Sequence, residues 1–203
     1  MGGTCLEITW LGSDSLLLRG RESRVLLSAS GDDPQLAGRT GSDIVVGPVA
    51  EENQLRPPSG PQMVVRPGEY ELRGVSVRGV AVSGGVVFVT EVDEVAVCNF
   101  GALPAELSDE ALESLGFIDV LGISLDNGSS ARAVAVAQFI ARVQPGVMVP
   151  TGYQSALDAA PGELAALVRE MGLAQVSPQA KLTLSGSLGA AEDTRVVVLE
   201  PRR

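Results

Sequence analysis

Four polar side chains, Glu51, Glu52, Asn53 and Gln54, come soon after the apolar run Ile44-Val45-Val46 and the break at Gly47-Pro48. A buried strand that delivers a polar loop to a sheet edge is a common setting for an active site. The two neighbouring carboxylates could divide the work of a general acid and a general base. They could equally hold a hard cation such as Mg²⁺ or Ca²⁺, with Asn53, Gln54 and Asn99 adding oxygens. Adjacent residues on a loop usually point in different directions, however, and acidic loops are ordinarily just solvated. The same residues therefore also read as plain surface.

The rest of the chain removes most other chemistry. There is no histidine, so Ser-His-Asp and Cys-His catalysis are impossible in their usual form. The two cysteines, Cys5 and Cys98, cannot fill a tetrahedral zinc set. Both read as strand residues, with Cys98 a small buried hydrophobe among apolar neighbours. No G-x-x-x-x-G-K-[ST] loop is present, and no G-x-G-x-x-G follows a strand in the right setting. The segment "GVSVRG" misses a nucleophile elbow by one residue and lies in a strand-like run.

Net charge is −10, which opposes binding to nucleic acid and to an anionic membrane. No apolar run reaches the ~20 residues of a membrane helix, and no basic-then-apolar leader opens the sequence, so a cytoplasmic location is expected.

The elements that must position these residues fall into two blocks. Up to Gly101 the chain is a series of β-rich runs broken by Gly, Ser and Asp: "CLEITWLG", "SLLLRG", "SRVLLSAS", "DIVV", "QMVV", "EYELRGVSVRGVAV", "VVFVTEV" and "EVAVCNFG". Val75, Val77 and Val82 interleave with Ser76, Arg78 and Ser83, which predicts a strand with one wet face. After Gly101 helices alternate with strands. "SDEALESLG" has Ser108 as N-cap and Gly116 as stop. "SSARAVAVAQFIARVQP" is a helix capped by Ser129 or Ser130 that ends before Pro145, and "PGELAALVREMG" is another. "IDVLGIS", "GVMVP", "KLTLSG" and "TRVVVLE" read as strands. Strands first, then alternation, predicts a layered α/β protein over residues 1–203 as one domain.

In this order the segments resemble the metallo-β-lactamase-fold hydrolases, in particular the small UlaG-like metal-dependent branch. "EITWLGSDSLLLRG" is similar to that branch's opening W-L-G-H-S and following strand. "DIVVGPVAEENQ" stands where the branch has D-I-V and then S-H-x-H-x-D-H. "RPGEYELRGVSVRGV" resembles its P-G-E-Y-E strand segment. "VAVCNFGALPAELSDEALESLGFIDVL" resembles its C-H-L-G-D-L stretch with the next helix and strand. "QPGVMVPTGY" is similar to its late P-x-x-x-I-P-M-H-Y segment.

The resemblance runs from about Leu6 to Glu200 and implies a four-layer αβ/βα sandwich of two mixed sheets flanked by helices. It also implies that the metal ligands have been replaced. The first histidine falls on Ser13, the H-x-H-x-D-H ligands on Val49, Glu51, Asn53 and Gln54, and the C-H-L-G-D ligands on Asn99 and Ala102. The last histidine falls on Gly152.

Metallohydrolysis needs ions that lower the pKa of a water and polarise the substrate, and valine, alanine and glycine side chains coordinate nothing. The resemblance therefore implies a metal-free, catalytically inactive homologue with no cofactor, acting as a binding, regulatory or structural subunit. The alternative is a hydrolase that uses Glu51 and Glu52 with a non-zinc cation or with none. Asp14, Glu52 and Tyr153 are further candidates for ligand contact at the mouth of the cleft. Against this, Ser13 and Asp14 also suit a plain turn, Asn99 a structural hydrogen bond and Tyr153 a packed ring. The expected partner is a second copy of the chain, with an intact paralogue or another protein as the other option.

Overall fold

The computed structural model describes residues 5–28, 36–48, 60–103, 107–125, 130–153, 163–173, 176–189 and 193–202. Two mixed sheets carry the architecture. The first contains β1 (Leu6–Trp10), β2 (Ser15–Arg19), β3 (Arg24–Ser28), β4 (Ile44–Val46), β5 (Gln62–Val64) and β12 (Leu182–Leu184), in the order β12-β1-β2-β3-β4-β5. The second is β13-β11-β10-β9-β8-β7-β6, from β6 (Gly68–Leu72), β7 (Val75–Val82), β8 (Gly85–Val92), β9 (Val95–Asn99), β10 (Val120–Ser124), β11 (Val147–Thr151) and β13 (Arg195–Val196).

Alternation within the strands builds the core. Leu6, Ile8 and Trp10 of β1 belong to the same apolar cluster as Val75, Val77 and Val97 of the second sheet, and all six are almost fully buried. Strands β10 and β11 have no exposed residue, as expected of parallel strands covered on both faces. Helix α1 (Leu36–Thr40) packs Ala37 on Leu26 and Val45 of the first sheet. Helix α2 (Asp109–Leu115) packs on β7 and β8, while α3 (Ser130–Val143) and α4 (Glu163–Glu170) pack on one another. The expected two-sheet α/β sandwich is thus the observed fold. Among the described residues no helix is long and apolar enough to cross a membrane.

Helix α2 starts and stops as its sequence predicts. Ser108 accepts a hydrogen bond from the Ala111 amide at 3.1 Å, and Gly116 closes the helix at φ +71°. Elsewhere the run "EYELRGVSVRGVAV" differs from the single strand expected of it. It folds into β6 and β7, reversing at Arg73-Gly74 with φ +52° and +73°. A two-residue turn with both φ positive matches the twist of an antiparallel pair. Helix α1 lies between the "SRVLLSAS" and "DIVV" runs, in a stretch to which the sequence reading assigns no helix. Cys5 is exposed and precedes β1 instead of lying in a strand. Of the "TRVVVLE" run only Arg195 and Val196 join the ladder, and Leu199 makes a lone bridge to Gln179.

The two sheets are clasped at one end by their turns. The Arg21 amide donates to Asp93 at 2.8 Å, Ser23 Oγ donates to the Arg73 carbonyl at 2.7 Å, and the Arg73 guanidinium meets Asp43 at 2.7 Å. The opposite end is left for the C-terminal tips of β3, β4, β9, β10 and β11, where the candidate site lies.

Candidate functional site

Residues spread over 140 positions of sequence come together at these tips. The turn between β1 and β2 is tight: the Leu11 amide donates to the Ser15 carbonyl at 2.9 Å, and Gly12 and Ser13 sit at φ +93° and +45°. That geometry turns the Ser13 carbonyl inward, where it accepts from Trp10 Nε1 at 2.8 Å and from the Gly152 amide at 3.0 Å. Beside it, Asn99 Nδ2 donates to the Asp14 carbonyl at 2.7 Å. Ser13, Asp14, Asn99 and Gly152 therefore form one hydrogen-bonded knot between the two sheets. It is made largely by backbone carbonyls that no sequence motif advertises. Glycine at 122 makes room for Asn99, since a Cβ there would lie 2.6 Å from Asn99 Oδ1.

Next to the knot opens a cleft of about 290 Å³. Leu27, Val46, Phe88 and Phe100 give it an apolar lining, while Ser28, Ser83 and Asn99 contribute polar groups. Ala102 stands at its edge. Gly47 is the structural hinge of one wall: at φ +133° its missing Cβ would fall 1.8 Å from the Ser28 carbonyl oxygen, so only glycine fits. Ser28, Phe100 and the Ser83–Gly85 turn were not singled out from the sequence. The Gly84-Gly85 pair is the one local signal that could have marked the turn as part of a binding lip.

Of the residues expected at the site, Asn99 and Ala102 line this cleft, and Ser13, Asp14 and Gly152 form the knot at its side. Asn99 has the structural hydrogen bond anticipated as one of its two readings. Tyr153 does not reach the mouth of the cleft. Its ring packs 4.7 Å from the Trp10 ring, it is buried, and its hydroxyl donates to the Leu199 carbonyl at 2.5 Å. Burial, with Glu200 nearby as a lesser cause, raises its hydroxyl pKa to about 12. Cys98 is fully buried, and desolvation pushes its thiol far above the ordinary range, which makes it inert at neutral pH. Val49, Glu51, Glu52, Asn53 and Gln54 lie outside the described residues.

A dinuclear metal centre does not fit the groups found here. Asn99 spends its amide nitrogen on Asp14, the Ser13 carbonyl is shared by two N–H donors, and Ala102 and Gly152 have no side-chain donor atom. The buried oxygens left without a protein partner at these tips are Asp14 Oδ1, Asn99 Oδ1 and Thr151 Oγ1. That is one carboxylate beside a neutral amide and a hydroxyl, whereas zinc takes three or more imidazole, thiolate or carboxylate ligands. Among the described residues no group of three or more His, Cys, Asp or Glu is placed to hold an ion.

Fold and sequence agree on what kind of protein this is. Residues 7–152, well over half of the chain, match the family described as the beta-lactamase superfamily domain, and the chain belongs to that superfamily. Its architecture is the metallo-β-lactamase fold. A Thermotoga maritima protein assigned to the Zn-dependent hydrolases of the metallo-β-lactamase superfamily superposes with a TM-score of 0.70 at 19% identity, over 96% of this chain and 98% of that one. A metallo hydrolase from the archaeon Ignicoccus hospitalis gives 0.57 at 15% identity, over 89% and 98% of the two chains. The metallo-β-lactamase fold protein YhfI of Bacillus subtilis gives 0.57 at 9% identity, over 90% and 100%. No curated protein matches the sequence.

Proposed function

We propose that this chain is a non-hydrolytic, metal-free member of the metallo-β-lactamase fold that acts as a binding or regulatory subunit. One observation carries the reading. Among the described residues, the positions Ser13, Asn99 and Gly152, which the family resemblance aligns with metal ligands, take part with Asp14 in a knot of hydrogen bonds made largely by backbone carbonyls. The Ser13 carbonyl is already shared by two N–H donors, and Asn99 Oδ1, although without a partner, is a neutral amide oxygen and a weak ligand for a divalent ion. The chain has no histidine to add, and the one carboxylate among the described residues at these tips, Asp14, with neutral oxygens beside it does not offset the hydration of a transition-metal ion.

The test is elemental analysis of protein produced in zinc- and manganese-supplemented medium, with melting curves before and after chelation. The expected outcome is no stoichiometric metal and an unchanged Tm. One equivalent of tightly held metal, lost together with stability on chelation, would overturn the proposal. The competing hydrolase reading places Glu51 and Glu52 at the reacting centre. It requires a hydrolytic activity that Glu51→Gln and Glu52→Gln abolish.

A further inference from the structure

Resting on the reading of this chain as a binding subunit, we propose that a groove on the outer face of the second sheet docks an arginine-bearing, otherwise apolar segment of a protein partner. The groove, of about 320 Å³, lies over β7, β8 and β9, between the end of α2 and the loop at Ser187. All ten of its lining residues, and their neighbours in sequence, are among the described residues. Strand register sets its floor. Ser76 pairs with Glu91 across β7 and β8, and Glu91 with Ala96 across β8 and β9. The small side chains at 76 and 96 leave a depression beside α2.

Charge selects the partner. Glu91 and Glu94 are exposed, and neither has an ion-pair or hydrogen-bond partner among the described residues. A Cβ added at Gly186 would lie 3.9 Å from Glu94 Oε2, so this carboxylate reaches towards the loop that carries Ser187. The one basic lining residue, Arg78, is already engaged: Nη1 donates to the Leu115 carbonyl at 3.3 Å, and Nε lies 3.7 Å from Glu69 Oε1. Two unpaired carboxylates therefore line the groove and complement a cation. A second copy of this chain, itself of net charge −10, would approach against repulsion.

Apolar surface narrows the choice to arginine with apolar neighbours. Among the described residues three large apolar side chains are exposed, and two of them flank this groove. Phe117, 44% exposed, lines it, and Leu188, 41% exposed, follows Ser187. A guanidinium stacks its plane on an aromatic ring while its edge pairs with carboxylates. Its stem and an adjacent apolar residue would cover Phe117 and Leu188. A bare metal ion would leave that apolar surface wet. The wall is also held in place: Asp119, 1% exposed, accepts from the Ala96 amide at 2.8 Å, Ser187 Oγ at 2.8 Å and the Leu188 amide at 2.5 Å. A groove fixed in advance spares the partner that ordering cost.

The experiment titrates isotope-labelled protein in EDTA with two capped peptides, followed by backbone-amide NMR. One is acetyl-Gly-Leu-Arg-Leu-Gly-amide; the other carries citrulline, a neutral urea of the same shape, in place of arginine. The arginine peptide should shift the amides of Ser76, Glu91, Glu94, Phe117 and Ser187. It should bind at least about fivefold more tightly than its citrulline twin, the scale of one or two exposed ion pairs. Glu91→Gln combined with Glu94→Gln should erase that preference, and Phe117→Ala should weaken both peptides. Glu110→Gln, an exposed acid of α2 outside the groove, should change neither. All four positions are exposed, so the variants should keep the fold. Equal affinity for the two peptides, a preference that survives the double variant, shifts confined to another surface, or no shifts at millimolar peptide would each overturn the inference. Equal binding by acetylarginine amide alone would make the groove a small-molecule site and overturn it as well. So would groove amides that shift with protein concentration alone, since the occupant would then be a second copy. Stoichiometric metal would instead defeat the non-hydrolytic reading, whatever the peptides do, so the two failures are distinguishable.

Discussion

Replacing Asn99 by aspartate changes one atom of the side chain and inverts the logic of the knot. In the native protein Nδ2 donates to the Asp14 carbonyl at 2.7 Å, across 85 residues of sequence. In Asn99→Asp an anionic oxygen faces that carbonyl at the same distance. The lost bond accounts for about 1 kcal/mol, and leaving a half-buried carboxylate against a carbonyl oxygen adds about 1–3 kcal/mol. The expected loss at pH 7 is therefore about 2–4 kcal/mol, a Tm decrease on the order of 5–15 °C for a chain of this length. The sign of the pH dependence is also determined. Repulsion raises the folded-state pKa of the introduced carboxyl above its unfolded value, about 3.9. The protonated form is then the one compatible with folding, since its O–H can donate to the Asp14 carbonyl. The penalty must shrink as pH falls from 7 towards 4.5 and grow again as pH rises. Asn99→Ala is the control. It loses the same bond but carries no charge, so it should cost about 1 kcal/mol at both pH values. Urea unfolding in EDTA, followed by the fluorescence of the single tryptophan, Trp10, measures all three proteins. An Asn99→Asp protein within 0.5 kcal/mol of wild type at pH 7, the level of an ordinary surface change, would refute the reasoning. So would an equal penalty at pH 4.5 and pH 7, because either result means that Asn99 does not tie the two sheets together.

Gly47→Ala should destabilise by roughly 3 kcal/mol or more, since a Cβ 1.8 Å from the Ser28 carbonyl oxygen cannot be accommodated without moving a strand end; the denaturation midpoint measures it. Asp119→Ala removes a carboxylate that is 1% exposed and accepts from the Ala96 amide at 2.8 Å, Ser187 Oγ at 2.8 Å and the Leu188 amide at 2.5 Å. Two backbone donors lose their partner, so a loss of about 3–5 kcal/mol is expected, with proteolysis near residues 187–188 reporting the release of that loop. In alkaline titration followed by tyrosinate absorbance, one tyrosine should ionise near pH 12 and the Tyr153→Phe variant should lack that phase. Because the folded-state pKa is raised above the ordinary value of 10, the corresponding stability is complete below pH 10 and is lost as pH rises from 10 to 12.

Composition and local order already determine much of this protein. Most of the Val- and Leu-rich runs form strands, because β-branched and apolar residues suit a pleated, buried surface. Ser108 and Gly116 mark the ends of α2, because capping is chemistry among neighbours in sequence. The absence of histidine alone removes the usual nucleophilic triads.

What lay beyond the sequence was set by contacts between distant segments. The break at Asp93 between two β-rich runs was legible, but the reversal at Arg73-Gly74 was not. Arg73, Gly74, Asp93 and Glu94 all take positive φ. That the turns they form clasp the other sheet through Arg21 and Ser23 is a matter of tertiary structure. A tyrosine beside Gly152 could have pointed outward; the Trp10 ring and the Leu199 carbonyl hold it inside. Ser13 was aligned with a metal ligand as a side chain, but the structure uses its carbonyl. Side-chain identity is written in the sequence, whereas the direction of a backbone carbonyl is decided by which strands close around it.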